Sequence, residues 1–472
     1  MPACAPSELW TPNYRGRTIQ KKRKIIANVT ETLAAWICSA RYEDFPDAAR
    51  AKANDVVFDS VGAMAACSTL PEVAAIVRLL EKLGGDPRCS VIGYALVTSV
   101  VSAAMANGAM AHGDETDPVH LKSAGGHVAA GVVPTALAVG EWLDKSGQEL
   151  LHAVVLGYEL GGRLMPIFYR ERNPVARRFY PTAVVGTLAS AVTAGVLLGF
   201  NREQMQIALC LAAYQAAGPD NMIKDPMHMG KTFQAGCANR NGVTAALLTA
   251  DGCRAPLDIL DGSHSLFDAF FGAPDAGAGM ADDLGKYFSI TDVMHKRYPV
   301  GSPNQTYLQA LFALLKRHRV RPDDIAQIEV EIPHSLVQRI PTSRHASISG
   351  LSVCAIAAAK GKLDFYFLHD PACVHDPAVL AMQQRLKFVG RDDWQWLEHG
   401  RHAIVRIETR SGETLREEVW LVPMTRPELE DKFEDLVVPR FGTDKSARLA
   451  RLLTNLAGEK SVRPLMHELR AG

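Results

Sequence analysis

A chain of 472 residues is longer than one hydrophobic core ordinarily fills, so two domains are expected, one of them free to interrupt the other. Lys and Arg total 51, as do Asp and Glu, and the pI is near 7.2, a balance that gives no support to nucleic-acid or anionic-membrane binding as the main role. At 47% apolar and 22% charged the composition is that of a soluble globular protein, and the nine cysteines, odd in number and without a CxxC pair, fit a reducing cytoplasm and argue against structural zinc.

The start, MPACAPSELWTPNYRGRTIQKKRKII, has no apolar core of signal-peptide type, and Lys21–Lys24 reads as a solvated arm, residues 1–28. No run of about eighteen apolar residues appears, so no membrane span is expected. From residue 29 to 272 the pattern is helical almost throughout. Thr30 is placed to cap the first helix, Pro46 and Pro71 to open the second and third, and Gly84-Gly85 to stop the third. The following segments, among them VTSVVSAAMA, TAVVGTLASAVTAGVLLG and REQMQIALCLAAYQAAG, are rich in Ala, Gly, Ser and Val, which lets buried helices approach closely. No heptad is sustained, so a large all-helical domain is expected rather than a coiled coil.

The composition shifts at FGAPDAGAGMADD, residues 271–283, which reads as a linker. After it AQIEVEIP and AIVRIET alternate as strands do, and the second runs through a Ser-Gly turn into LREEVWLVP as a hairpin. With the helical patterns TYLQALFALLKRH and SVCAIAAAKG they make a smaller α+β domain, 273–424, while 425–472 is helical again and is expected to pack back on the first domain. The expected fold is mainly α.

No P-loop, GxSxG or HExxH motif is present. Four other stretches carry chemistry. In NGAMAHGDETDPVHLKSAGGHVAAGVVP the apolar pattern breaks, and His112, Asp114, Glu115, Asp117, His120, Lys122 and His127 fall within sixteen residues. A solvated loop, a metal site and an acid/base pocket are all compatible with this; carboxylate and imidazole at the boundary of two buried helices favour the pocket. NMIKDPMHMGKTFQAG places Lys224, His228 and Lys231 at a helix start, an arrangement suited to a carboxylate. RRFYPTAVVG puts Arg177, Arg178 and Tyr180 before another helix, and HKRYPVGSPNQ puts Lys296, Arg297 and Tyr298 before a turn. Together the four loops suggest a pocket for a small polyanion.

These stretches resemble the MmgE/PrpD family of 2-methylcitrate dehydratase and cis-aconitate decarboxylase. AHGDETDP and HVAAGVVPTALAVGE stand where members show AHxxDFDDT and HPSxxVxPA. FYPTAVVGT matches FHPTAxxGT, IKDPMHMGKTFQAG matches TKxxHxGRAA, KRYPVGSPNQ matches the KxYP segment, and ELEDKFEDLVVPRFG is similar to the C-terminal helix. The resemblance runs over nearly the whole chain from about residue 30. It implies a helical domain with an α+β lid, an active site between them, a homodimer, a small carboxylic-acid substrate, and no metal, cluster or organic cofactor. By position it carries over Asp114, His127, Lys224 and Lys296. Tyr180 stands where His is usual, Pro118 where Thr is common, and the Tyr expected in the lid helix is absent at Gly350 or Ser352.

The expected activity is therefore that of a cofactor-independent lyase acting on a di- or tricarboxylic acid, with an isomerase, an epimerase or a non-catalytic acid-binding relative as the alternative. His127, Asp114, Lys224, Lys296 and Tyr180 are the expected catalytic set: His127 as base or acid, Asp114 orienting it or holding substrate, Tyr180 as proton donor. Arg178, His228, Lys231 and Tyr298 are expected to bind substrate, and cations would stabilise the carbanion through its carboxylate.

Overall fold

The computed structural model describes residues 28–123, 125–170, 178–225, 229–337, 345–394 and 401–471; the Lys21–Lys24 run, Arg177 and His228 lie outside them. Among the described residues, most of the larger body is built by α1 (Val29–Ser39), α2 (Asp47–Cys67), α3 (Pro71–Leu83), α4 (Val100–Ala111), α5 (Ala129–Leu143), α6 (Gly147–Arg170), α7 (Pro181–Leu197), α8 (Arg202–Ala213) and α9 (Met229–Ala250). Among the described residues no single helix is long and apolar enough to cross a membrane. The cap of α1 differs from the expected one. Asn28 accepts from the Glu31 amide, while the Thr30 hydroxyl turns inward to Asp261.

The small residues do what close packing requires of them. A Cβ on Gly131 of α5 would lie 2.6 Å from the Gly186 Cα of α7, and one on Gly236 of α9 would lie 2.7 Å from the Met105 carbonyl oxygen of α4. Pro134 inside α5 has no N–H for the carbonyl of Ala130 four residues earlier. Asn239 of α9 supplies the missing donor, its Nδ2 lying 2.7 Å from that oxygen, and Thr135 donates to Asn239 Oδ1 at 2.8 Å.

The second domain begins later than its composition implies. Phe271, at the end of α10 (Leu266–Phe271), and Met280, Phe288, Ile290 and Val293 are all buried in the body core, so 271–283 is a packed segment rather than a free linker. The separate second core starts at Val300. It is made by α11 (Asn304–His318), the helix Gly350–Lys360 and a four-stranded sheet. Two short pairs precede that sheet: β1 (Cys89–Ser90) with β2 (Val97–Thr98), and β3 (Val119–His120) with β4 (Val293–Met294). The sheet comprises β5 (Ile325–Pro333), β6 (Leu386–Arg391), β7 (His402–Thr409) and β8 (Thr414–Trp420) in the order β6-β5-β7-β8. β5 and β6 are parallel; the remaining pairs are antiparallel, β7 and β8 forming the hairpin.

The helices Arg426–Phe441 and Thr443–Thr454 return to the body, where Leu429, Phe433, Leu436, Val437, Leu449 and Leu453 join its core. At about 1.5–3 kcal/mol for each large apolar side chain buried, this contact is a major part of how the C-terminal segment is held. It also brings Lys432 to Asp59 of α2, at 2.6 Å.

Candidate active site

The loop between α4 and α5 buries a run of charged and ionisable side chains. His112, Asp114, Asp117 and His120 are each at most 1% exposed, and Glu115 and His127 are nearly as deep. Buried carboxylates are costly unless each is paired and hydrogen-bonded, and the partners come from every side.

Asp117 Oδ2 accepts from Nδ1 of His112 at 2.9 Å and from Nδ1 of His127 at 2.8 Å. A carboxylate only accepts, so both rings carry their proton on Nδ1 and present a lone pair at Nε2. Burial, aided by the nearby Lys231 ammonium, pushes His112 down to about 3; burial lowers His127 as well. Both rings are therefore neutral near pH 7. The Tyr180 hydroxyl donates to His112 Nε2 at 2.5 Å, and burial holds its phenol well above 10. Burial opposes ionisation of Asp117, but His127, His112 and Lys296 outweigh it and keep this carboxyl well below its ordinary range.

Two buried lysines meet at Glu115. Lys231, from the first turn of α9, lies 2.7 Å from Oε1, and Lys296 lies 2.8 Å from Oε2 and 3.5 Å from Asp117 Oδ1. Burial would lower Lys231, but Glu115, Asp117 and Asp114 raise it. Lys296 is fully buried. The antiparallel pairing of β3 with β4 delivers it, since Val119–His120 of the loop and Val293–Met294 run side by side immediately before His295-Lys296. The next layer fixes the loop itself. Asp59 accepts from His295 Nδ1 at 2.8 Å and from Lys432, which also donates to the Thr116 carbonyl at 2.8 Å. Lys432 and His295 outweigh burial and lower the Asp59 carboxyl.

Residues far along the chain, in the part expected as a lid, reach Asp114. Ser347 donates to Asp114 Oδ1 at 2.7 Å, His345 Nδ1 lies 2.7 Å from Ser347 Oγ, and His369 Nε2 lies 3.1 Å from Asp114 Oδ2.

Of the residues expected from the sequence, His127, Asp114, Lys296, Tyr180 and Lys231 are thus brought together. Lys224 and Arg178 are not: both are exposed, and no ion pair ties either to the cluster among the described residues. Tyr298 is half-buried and stacks on Phe312 of the second core with ring centres 5.1 Å apart, so it packs rather than lining the cluster. His228 lies outside the described residues. Nor is the cluster an open positive lining, because Glu115 already holds both buried ammonium groups. Asp117, His112 and Glu115 stand in the same sequence stretch and receive their roles only from these contacts. Ser347, His345 and His369 lie more than 230 residues from Asp114, where no local pattern points to them.

Among the described residues, two sets of ligand-type atoms lie within 4.8 Å of one another, His112–Asp117–His127 and Asp114–His345–His369. A cation in the first would displace both Nδ1 protons from Asp117; in the second, Ser347 Oγ already stands between Asp114 and His345. Both are better suited to sharing protons.

The sequence model of the MmgE/PrpD N-terminal domain matches residues 31–278, and that of the MmgE/PrpD C-terminal domain matches residues 298–457. Similar curated proteins include the cis-aconitate decarboxylase-like protein oryM of Aspergillus oryzae, 24% identical over 93% of this chain and 96% of its own length. The cis-aconitate decarboxylase of Homo sapiens is 24% identical over 92% of each chain. That of Mus musculus is 26% identical over 87% of this chain and 86% of its own.

Proposed function

The chain belongs to the MmgE/PrpD family, and from that premise we propose that it is a lyase of a small di- or tricarboxylic acid, reacting at the carbon next to a carboxylate. The relatives named cis-aconitate decarboxylase make cis-aconitate the first acid to try. The observation that carries the reading is Asp117 holding two neutral imidazoles with Nδ1 protonated. Elimination and decarboxylation both build negative charge on a carbon beside a carboxylate, and cations placed at that carboxylate stabilise it. Lys231 and Lys296 are the groups placed to do so, once a substrate carboxylate shares them with Glu115. His127 Nε2 takes or returns the carbon-bound proton. Tyr180, whose hydroxyl rests on His112 Nε2, turns its proton from that nitrogen to a leaving group. Asp114 holds the lid over the reaction and excludes water.

An isomerase or epimerase is the second reading. It is favoured by a base, His127, and an acid, Tyr180, standing in one cluster, since together they can remove and return a proton with no leaving group. The homodimer and the reducing cytoplasmic setting belong to the same proposal; the eight described cysteines are free thiols.

Incubating the protein in deuterated water with cis-aconitate and a panel of related acids tests the reading by NMR. Loss of carbon dioxide or water supports a lyase, and deuterium incorporation with inversion alone supports an epimerase. Thermal stabilisation by an acid with no exchange at any carbon leaves only binding and refutes both. His127→Ala is expected to lower turnover by roughly 10²–10⁴ with its thermal midpoint kept; near-normal turnover removes His127 from the chemistry.

A further inference from the structure

The His369 imidazole faces hydrogen-bond acceptors at both ring nitrogens. Nδ1 lies 2.8 Å from the Phe365 carbonyl oxygen and Nε2 lies 3.1 Å from Asp114 Oδ2. A carbonyl and a carboxylate only accept, so a neutral ring satisfies one of them and the imidazolium satisfies both. The other titratable groups facing it are Glu72, at the start of α3 in the body, and His345 on the lid, its ring centre 6.4 Å away. Burial works against the charged ring, but Asp114 outweighs it and raises the ring above its usual value, with Glu72 adding in the same direction.

Asp114 belongs to the body loop that also carries Glu115 and Asp117, whereas His369 follows the short helix Phe365–Leu368, which spans the seam, with Phe365 buried in the body core and Leu368 in the second core. Ser347 gives its one proton to the other Asp114 oxygen, and His345 Nδ1 donates to Ser347 Oγ. Both oxygens of one body carboxylate are thereby engaged by the lid.

We propose that His369 is a positioning residue: as an imidazolium bound to Asp114 it latches the lid onto the body loop and so sets Glu115, Asp117 and, through Asp117, His127. The role rests on the reading of this cluster as the active site, but the latch can be observed without substrate. A group whose folded-state pKa is raised contributes stability below its unfolded value, near 6.5, and loses that contribution as pH rises through the folded value. The latch is therefore closed in mild acid and released in alkali.

Hydrogen–deuterium exchange of the full chain between about pH 6 and pH 9.5, corrected for the intrinsic pH dependence, tests this. In wild type, amides near residues 114–117 and 345–369 are expected to lose protection about tenfold as pH rises. In His369→Gln they are expected to be less protected at every pH, and in His369→Lys, which keeps a cation, protected throughout. With a substrate in hand, His369→Gln is expected to lower kcat/KM about tenfold and to abolish the alkaline limb that His369→Lys moves upward; a merely structural loss would lower the rate equally at every pH. Protection that is independent of pH in wild type overturns the latch. A latch that titrates while kcat/KM stays unchanged in His369→Gln overturns the positioning role. Should His369→Gln fail to fold, wild type against His369→Lys decides. An inactive wild type whose lid exchange titrates refutes the catalytic reading and keeps the latch.

Discussion

On the body side of the seam His112, Asp117 and Lys296 are at most 1% exposed, and each is bound by another charged or aromatic group. On the lid side the His345 and His369 side chains keep 17% and 25% of their surface and meet the body at Asp114. The difference shows how one site divides its work. A buried cluster of carboxylates, lysines and neutral imidazoles is stable only when completely paired, so its geometry is set during folding, before any substrate arrives. The pair across the seam is less even: Asp114 is 1% exposed while its His369 partner keeps 25%, so water reaches the imidazole, and the proposed latch is the part of the site that pH can loosen. In this account the body holds the chemistry and the lid controls access to it and its final alignment.

Substitutions that should affect the two sides unequally can sharpen or break that division. Asp117→Asn comes first. An amide there carries no charge, and if its oxygen serves both rings its NH2 is turned toward the Lys296 ammonium, so either the rings or the lysine lose an acceptor; mis-set tautomers in other imidazole-dependent enzymes lower kcat by about 10⁴. A loss of roughly 10³–10⁴ in kcat/KM is expected here, and a loss under tenfold would mean that the body cluster is not the chemical centre. Lys432→Met comes next. It leaves buried Asp59 with His295 alone and frees the Thr116 carbonyl, so a destabilisation of about 2–4 kcal/mol by denaturant unfolding and a tenfold loss of activity are expected, though Lys432 is placed to touch no substrate. The smallest effect is expected at exposed Lys224, where Ala should change kcat/KM by no more than about threefold, the usual weight of an exposed charge. A hundredfold loss there would return Lys224 to the catalytic set in which the family resemblance places it.

The parts of the site that could be read in the sequence are those carried by local pattern. The break between two small-residue helices marked 112–127, and cations beside helix starts marked Tyr180, Lys231 and Lys296. Sequence spacing could not rank Lys224 against Lys231. The first ends a short 3-10 turn at the surface, and the second lies in the first turn of α9 against Glu115, a distinction made by tertiary packing. The lid residues Ser347, His345 and His369, and the brace from Lys432 to Asp59, join segments hundreds of residues apart, and nothing local marks them. The same limit explains strand β6. LKFVGR is short and carries two charges, and it becomes a strand because the parallel edge of β5 is there to receive it. The Gly- and Ala-rich 271–283 stretch misled in the opposite sense: its composition resembles a linker, but Phe271 and Met280 anchor it in the body core.

The central claim is that His127, held by Asp117 as a neutral Nδ1–H imidazole, moves the substrate proton. The pH dependence of kcat/KM tests it most directly. Because burial lowers His127, the account predicts an acid limb below the ordinary histidine value of about 6.5, with that limb absent from the residual rate of His127→Ala. An acid limb at or above 6.5, or one that survives unchanged in the variant, would contradict it.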